Sequence, residues 1–315
     1  NYGANMGLAI TQSIMMTGLL QWGMKQSGQL ENQMTSVERV VEYTKLEPES
    51  DEGTKQTPKE WPTNGKIKFN CVSFRYSSQD PWVLRKLTFD IRAKEKVGIV
   101  GRTGAGKSSL ISVLFQLVPY QGDVFIDDMN TKTIHLESLR SKITIIPQDP
   151  VLFSGTIRYN LDPFDEYQDS QLWDALEEVE LKNLVSGFPA GLSNKVLDGG
   201  ANFSVGQRQL LCLARAVVRM NKILILDEAT ANVDPRTDEL IQKTIRSKFR
   251  ECTVLTIAHR LNTVMDSDRI LVMSDGCVFE FDEPRRLLEN TNGVFYRLIK
   301  QAGNEIQKLT DLNEM

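Results

Sequence analysis

Apolar residues recur along this chain in two rhythms, and the change from one to the other divides it. From Asn1 to Met24 no residue is charged, and the first charge is Lys25. Apolar positions continue through Leu30, Met34, Val37, Val40 and Val41, with Glu31, Glu38, Arg39 and Glu42 between them. That spacing predicts one helix over 1–46. Residues 47–64 are rich in Pro, Glu, Lys, Thr and Ser and carry too little apolar surface to order strongly. They read as a linker, stiffened by Pro58 and Pro62 and docked on the next domain through Trp61.

From residue 65 the rhythm shortens. Ile67–Phe69, Val72–Tyr76 and Leu87–Ile91 cluster β-formers between turn signals and predict antiparallel strands, which lead to the apolar run Lys96–Val100. Leu110–Leu117 reads as a helix, and Val124–Ile126 and Ile143–Ile146 as further strands. Leu172, Trp173, Leu176, Val179, Leu184 and Val185 have helical spacing and mark a helical insertion, placed at about 150–218 together with a helix that starts near Ser204. Strand and helix then alternate through Ile223–Leu226, Thr237–Phe249 and Thr253–Ile257. Continuous apolar strands separated by helices predict a parallel sheet covered on both faces, so the expected fold class is α/β. The domain is taken to run over 65–302, with 303–315 as a tail.

At 315 residues and 41% hydrophobic content the chain has room for a globular core. A formal net charge of −4 with scattered Lys and Arg carries no footprint for nucleic acid. Cys71, Cys212, Cys252 and Cys277 have no paired spacing, which excludes a cysteine zinc site or a disulfide framework and fits reduced thiols packed as small hydrophobes. The charge-free start leaves two readings open: the closing part of a membrane helix, with Thr11, Gln12, Ser13, Thr17 and Gln21 facing protein or a cavity, or a buried helix of a soluble protein.

Chemistry enters at Gly101-Arg-Thr-Gly-Ala-Gly-Lys-Ser108, which follows the strand Lys96–Val100 and fits G-x-x-x-x-G-K-[ST]. Glycines let backbone N–H groups approach phosphate oxygens at a helix start. The loop residues Gly101, Thr103, Gly104, Ala105, Gly106, Lys107, Ser108 and Ser109 are therefore candidates for binding a nucleotide. Lys107 supplies positive charge to the β- and γ-phosphates, and the Ser108 hydroxyl is placed to ligate magnesium. Ile223–Leu226 ends in Asp227-Glu228, at the carboxyl edge of the predicted sheet where the phosphate loop also lies. Asp227 is the expected metal ligand and Glu228 the general base toward water. Gln148, after Ile145-Ile-Pro147, is placed to reach metal and water, and His259, after Thr253–Ile257, to reach the γ-phosphate.

In this order, these elements together with Phe203-Ser-Val-Gly-Gln-Arg-Gln209 and Ala231-Asn-Val-Asp234 resemble the nucleotide-binding domain of the ATP-binding cassette family. Pro150–Pro163 and Asn202–Arg215 are similar in wording to the second cassette of its C subfamily, and the likeness covers nearly the whole chain. The resemblance implies a P-loop NTPase core with a mostly parallel sheet, an antiparallel β subdomain and a helical subdomain, working with ATP and Mg2+ as the ATPase of a membrane export pump for organic anions and drug conjugates. It also implies that 1–46 is the end of the last transmembrane helix with its cytoplasmic extension, and that the chain is a fragment of a plasma-membrane transporter with this domain on the cytoplasmic side. The implied partners are the transporter's membrane domains and a first nucleotide-binding domain. Two cassettes of this family hold each ATP between them, so Ser204, Val205, Gly206 and Gln207 are expected to touch the partner's nucleotide. Phe203 and Val205 depart from the common Leu-Ser-Gly-Gly-Gln, and a β-branched Val205 restricts backbone approach to phosphate there. Tyr76 matches the residue that stacks on adenine.

Overall fold

The computed structural model describes residues 2–46, 49, 57–58, 60–229, 233–258 and 261–301. The chain divides into two units, 1–51 and 52–315. The first contains a single helix, α1 (Tyr2–Thr44), with no buried residue. Its hydroxyls are satisfied along its own backbone: Thr11, Ser13 and Thr17 each donate to the carbonyl four residues earlier at 2.9 Å. Helical periodicity is thus met over the length expected. Among the described residues, however, no helix is long and apolar enough to cross a membrane, because polar side chains interrupt the apolar run from Thr11 onward.

In the second unit, β1 (Ile67–Phe74) and β2 (Leu84–Ile91) pair antiparallel. The sequence reads 67–69 and 72–76 as separate strands. They are one strand with a bulge, where Cys71 has φ 49° and the register shifts. Next come β3 (Lys96–Gly101), α2 (Lys107–Leu114), β4 (Tyr120–Ile126) and the short β5 (Met129–Asn130). The antiparallel sheet has the order β2-β1-β4-β5. Its inner face buries Ile67, Phe69, Phe74 and Phe89, with the Phe69 and Phe89 rings stacked at 4.6 Å. Burying side chains of this size contributes roughly 1.5–3 kcal/mol each.

After α3 (Leu136–Ser141), β6 (Ile143–Ile146) enters the central sheet. A helical segment follows: β7 (Gly155–Thr156), α4 (Ile157–Leu161), α5 (Asp169–Glu178), α6 (Lys182–Ser186), β8 (Lys195–Val196) and α7 (Val205–Arg219). Its core of Leu172, Leu176, Val185, Leu211 and Leu213 is continuous with Leu224 and Leu226 of β9 (Ile223–Asp227). Then come α8 (Pro235–Lys248), β10 (Thr253–Ile257), β11 (Arg269–Ser274), β12 (Cys277–Asp282), α9 (Pro284–Glu289) and a helix over 294–301.

The central sheet runs β12-β11-β3-β10-β9-β6. β11, β3, β10, β9 and β6 are parallel, and β12 closes one edge antiparallel to β11. The alternation read from sequence anticipates the parallel core but not β11 and β12. At the amino end of the strands, Arg269 forms a paired fork to the Glu95 carboxylate and lies 3.9 Å from the centre of the Phe281 ring, joining β3, β11 and β12. Trp61 is buried and its indole N–H donates to Ile126 O at 3.2 Å. The Asp127 carboxylate accepts from the backbone N–H groups of Asn64, Gly65 and Lys66. The docking expected of Trp61 is therefore present. The linker residues 47–48, 50–56 and 59, like the tail expected over 303–315, lie outside the described residues.

Candidate functional site

The parallel strands all point their carboxyl ends at one edge, and the candidate residues follow from what each strand delivers there. β3 is buried on both faces and turns at Gly101, where a Cβ would stand 2.4 Å from Met273 O. The loop passes through Gly104 at φ 81° and Gly106 at φ 97°, and Gly106 is the N-cap of α2. A Cβ at Gly106 would lie 2.6 Å from Leu84 Cδ2. Positive φ and this close approach together require glycine. Thr103, Gly104 and Ser108 are exposed, whereas Ala105 and Ser109 are buried beneath them.

Lys107 opens α2, is 9% exposed, and turns its ammonium back onto its own loop, donating to Gly101 O at 2.9 Å and Arg102 O at 3.4 Å. Asp227 ends β9, opposite Ile257 of β10. Burial, and then the neighbouring Glu228, push the Asp227 carboxyl above the usual carboxylate range, while the Lys107 charge pulls it down. The Lys107 charge thus acts on Asp227, 120 residues further along the chain. Glu228 sits at φ 48°, and its N–H donates to Ile257 O at 3.0 Å, extending the β9–β10 ladder one residue beyond the strand. A non-glycine residue in this conformation is strained, and such strain concentrates at functional positions.

Gln148 is exposed just past β6, the neighbour of β9. Tyr76, two residues past β1, is 53% exposed; its ring meets Phe74 edge-on at 4.9 Å and its hydroxyl lies 3.0 Å from Ser109 Oγ, so its orientation is tied to α2. His259 lies outside the described residues, one position past Ala258 at the end of β10.

The element at 204–207 is built differently. Ser204 is the N-cap of α7 and its hydroxyl oxygen accepts from Gln207 N at 3.2 Å, while Gln207 Oε1 accepts from Ser204 N at 3.0 Å, a closed capping box. Val205 is 41% exposed, and a Cβ on Gly206 would lie 3.3 Å from Asp234 Oδ1, at the start of α8. Among the described residues, no hydrogen bond links 204–207 to the phosphate loop; α7 packs on α4, α5, α8 and β6. Sequence reasoning quoted Asp234 and Gln209 only within longer motifs and gave neither a role; the Asp234 carboxyl is held below the usual range by the Thr237 backbone N–H and hydroxyl, and Gln209 reaches Pro147 O at 3.1 Å. The Asp234-Pro235 pair, a capping residue before proline, is a signal for the first.

A glycine-cradled lysine beside a half-buried Asp–Glu pair, on the carboxyl edge of a parallel sheet with an antiparallel sheet attached, defines a nucleotide-binding domain of the phosphate-loop class. Residues 84–231 match the family model described as ABC transporter. The chain is 57% identical over 307 residues to the probable multidrug resistance-associated protein lethal(2)03659 of Drosophila melanogaster, covering 96% of this chain and 22% of that protein. It is 55% identical to ATP-binding cassette sub-family C member 4 of Homo sapiens, covering 97% of this chain and 23% of that protein. A solved bacterial Atm1-family ABC exporter with ATP bound is 30% identical and superposes with a TM-score of 0.72, over 82% of this chain and 44% of that one. The chain carries the ATP-binding cassette domain and fits a nucleotide-binding fragment of the C subfamily of that transporter family, whose members are ATPases coupled to transport. The likeness to the multidrug resistance-associated protein 4 type, carried in the sequence by Asp227–Gln242 and Thr256–Thr263, is borne out at this level. The chain spans less than a quarter of the length of these curated relatives.

Proposed function

We propose that this chain is one of two ATP-hydrolysing cassettes of a membrane export pump, and that its own edge residues cut the ATP held on Gly101–Ser109. What supports this reading is that β3 and β9 flank β10 in one parallel sheet, so the phosphate loop that follows β3 and the Asp227-Glu228 pair at the end of β9 leave the sheet at the same edge. Backbone N–H groups of the loop and the start of α2 hold the phosphates. Lys107 leaves the carbonyls of Gly101 and Arg102 for the β- and γ-phosphates. Tyr76 stacks on adenine. Glu228 takes the proton of the attacking water, and His259, two residues past β10 in the sequence, holds the γ-phosphate.

The residues fit magnesium. Ser108, Gln148 and Asp227 offer only oxygen donors, the choice of a hard cation. Among the described residues no group of three or more His, Cys, Asp or Glu stands together as a metal cage. When bound, it supplies charge neutralisation between the β- and γ-phosphates.

Ser204, Val205, Gly206 and Gln207 complete the nucleotide site of a first cassette, whose signature in turn completes the site on Lys107. Residues 1–46 are the end of the last membrane helix and its cytoplasmic extension, 65–302 the cassette, and the segment around 150–218 its helical part. The cargo is organic anions and drug conjugates, by likeness to the multidrug resistance-associated relatives, and the pump sits in the plasma membrane with this domain facing the cytoplasm. Glu228→Gln in the full-length transporter tests the assignment: ATP binding is retained and turnover falls at least a hundredfold, with the two cassettes held closed. Turnover at the wild-type rate refutes it.

A further inference from the structure

The loop that carries Gln148 is fastened at both ends to one helix. Gln209 on α7 is 1% exposed, and its side-chain N–H donates to Pro147 O at 3.1 Å. One and a half turns further along the same helix, Arg215 Nη1 donates to Val151 O at 2.8 Å. Gln148 lies between these two carbonyls and is itself exposed. The Pro147 carbonyl and the Gln148 N–H belong to one rigid peptide plane. A bond to that carbonyl therefore restrains the backbone from which the Gln148 side chain leaves. The 204–207 element caps and opens α7, from about 7.5 Å along the axis from Gln209 at Ser204 to about 3 Å at Gln207, at 1.5 Å per residue.

We propose that Gln209 is a positioning residue: it holds Gln148 in register with the helix whose first turn is the 204–207 element. The inference rests on the role given above to Gln148.

The test compares Gln209→Met, which keeps length and loses the donor, with Gln148→Ala in the full-length transporter. Two quantities are read: hydrogen exchange of the amides over 147–153 without nucleotide, and the Mg2+ concentration giving half-maximal turnover at saturating ATP. Loss of one hydrogen bond of ordinary net strength corresponds to about a fivefold change. For Gln209→Met, exchange over 147–153 is expected to rise about fivefold, with β3, β9 and β10 unchanged, and the Mg2+ midpoint to rise by a similar factor. Gln148→Ala is expected to shift the Mg2+ midpoint without loosening 147–153. A shift with Gln148→Ala but none with Gln209→Met, or exchange that rises throughout the domain, overturns the positioning role and leaves the metal reading standing. No shift with Gln148→Ala removes the metal reading, and the positioning role with it. Should Gln209→Met fail to fold, Gln209→Asn, one methylene short of Pro147 O, is measured in its place against the same outcomes.

Discussion

Arg215 offers the sharpest test of how the helical segment is held together. Its guanidinium donates to Val151 O at 2.8 Å, Asn160 O at 2.6 Å and Asn160 Oδ1 at 2.7 Å. Asn160 is 2% exposed, and its amide also donates to Phe153 O and Thr156 O and accepts from Phe153 N. Replacing Arg215 by Met keeps the aliphatic stem but leaves the Val151 and Asn160 carbonyls without their charged donor. Each such bond is worth about 1.5–3 kcal/mol. Against this, burial lowers the Arg215 pKa, so the fold already holds this cation at a cost that Met would relieve. A net loss of about 3–4 kcal/mol follows, a large share of the 5–15 kcal/mol that holds a domain together. Arg215→Lys keeps the charge but not the fork and is expected to lose about 2 kcal/mol. Urea unfolding of the chain, with α7 and 151–160 followed by hydrogen exchange, measures both. A loss below 1 kcal/mol for Met, or full retention with Lys, refutes the argument that the forked geometry ties the two segments.

Two further outcomes are expected. Gly106→Ala forces an alanine to φ 97° with its Cβ 2.6 Å from Leu84 Cδ2 and should weaken ATP binding tenfold or more by calorimetry; Gly104→Ala, at φ 81° but with open space around it, should show the smaller backbone penalty alone, about 1–2 kcal/mol. Burial raises the Tyr120 hydroxyl, 3.0 Å from Thr131 Oγ1, to about 12, so the folded chain keeps a proton that the unfolded chain releases above about pH 10. Its contribution is fully present below pH 10 and is lost between 10 and 12, at about 1.4 kcal/mol per pH unit. Between pH 10 and 11.5 wild type should therefore lose about 2 kcal/mol more than Tyr120→Phe in urea midpoints, and parallel curves would exclude the effect.

The core of the fold was legible because β3, β9 and β10 are buried on both faces and read as unbroken apolar runs ending in recognisable chemistry. β12 was missed although Phe279 and Phe281 alternate with Glu280 and Asp282, the period-two signal of a half-buried edge strand. The bulge at Cys71 left no such signal, because it is a backbone event that shifts the register against both β2 and β4. On α7 the apolar stripe at Leu210, Leu211 and Leu213 is plain, yet Gln209 is just as buried. Its partner is 62 residues away, and hydrophobic spacing carries no record of a carbonyl brought in by tertiary packing.

The two candidate nucleotide elements also differ in what a ligand would have to displace. At the phosphate loop, Lys107 spends its charge on the carbonyls of Gly101 and Arg102, contacts that an incoming triphosphate outcompetes because a charged acceptor bonds an ammonium more strongly than a neutral carbonyl does. At Ser204 and Gln207 the capping box already satisfies the first-turn N–H of Gln207 and the N–H of Ser204 internally. What remains for a partner's nucleotide is the Ser204 hydroxyl proton, the Gln207 amide N–H groups and the backbone at Gly206, beside an exposed Val205 that a phosphate must pass. One element is therefore closed upon itself, and in the proposed reading ATP would open it, while the other is finished as local structure and offers only its outward donors. In the proposed pair of cassettes, occupancy of this chain's own loop would then be decided mainly within the chain, and docking at 204–207 by how closely the partner can approach Val205.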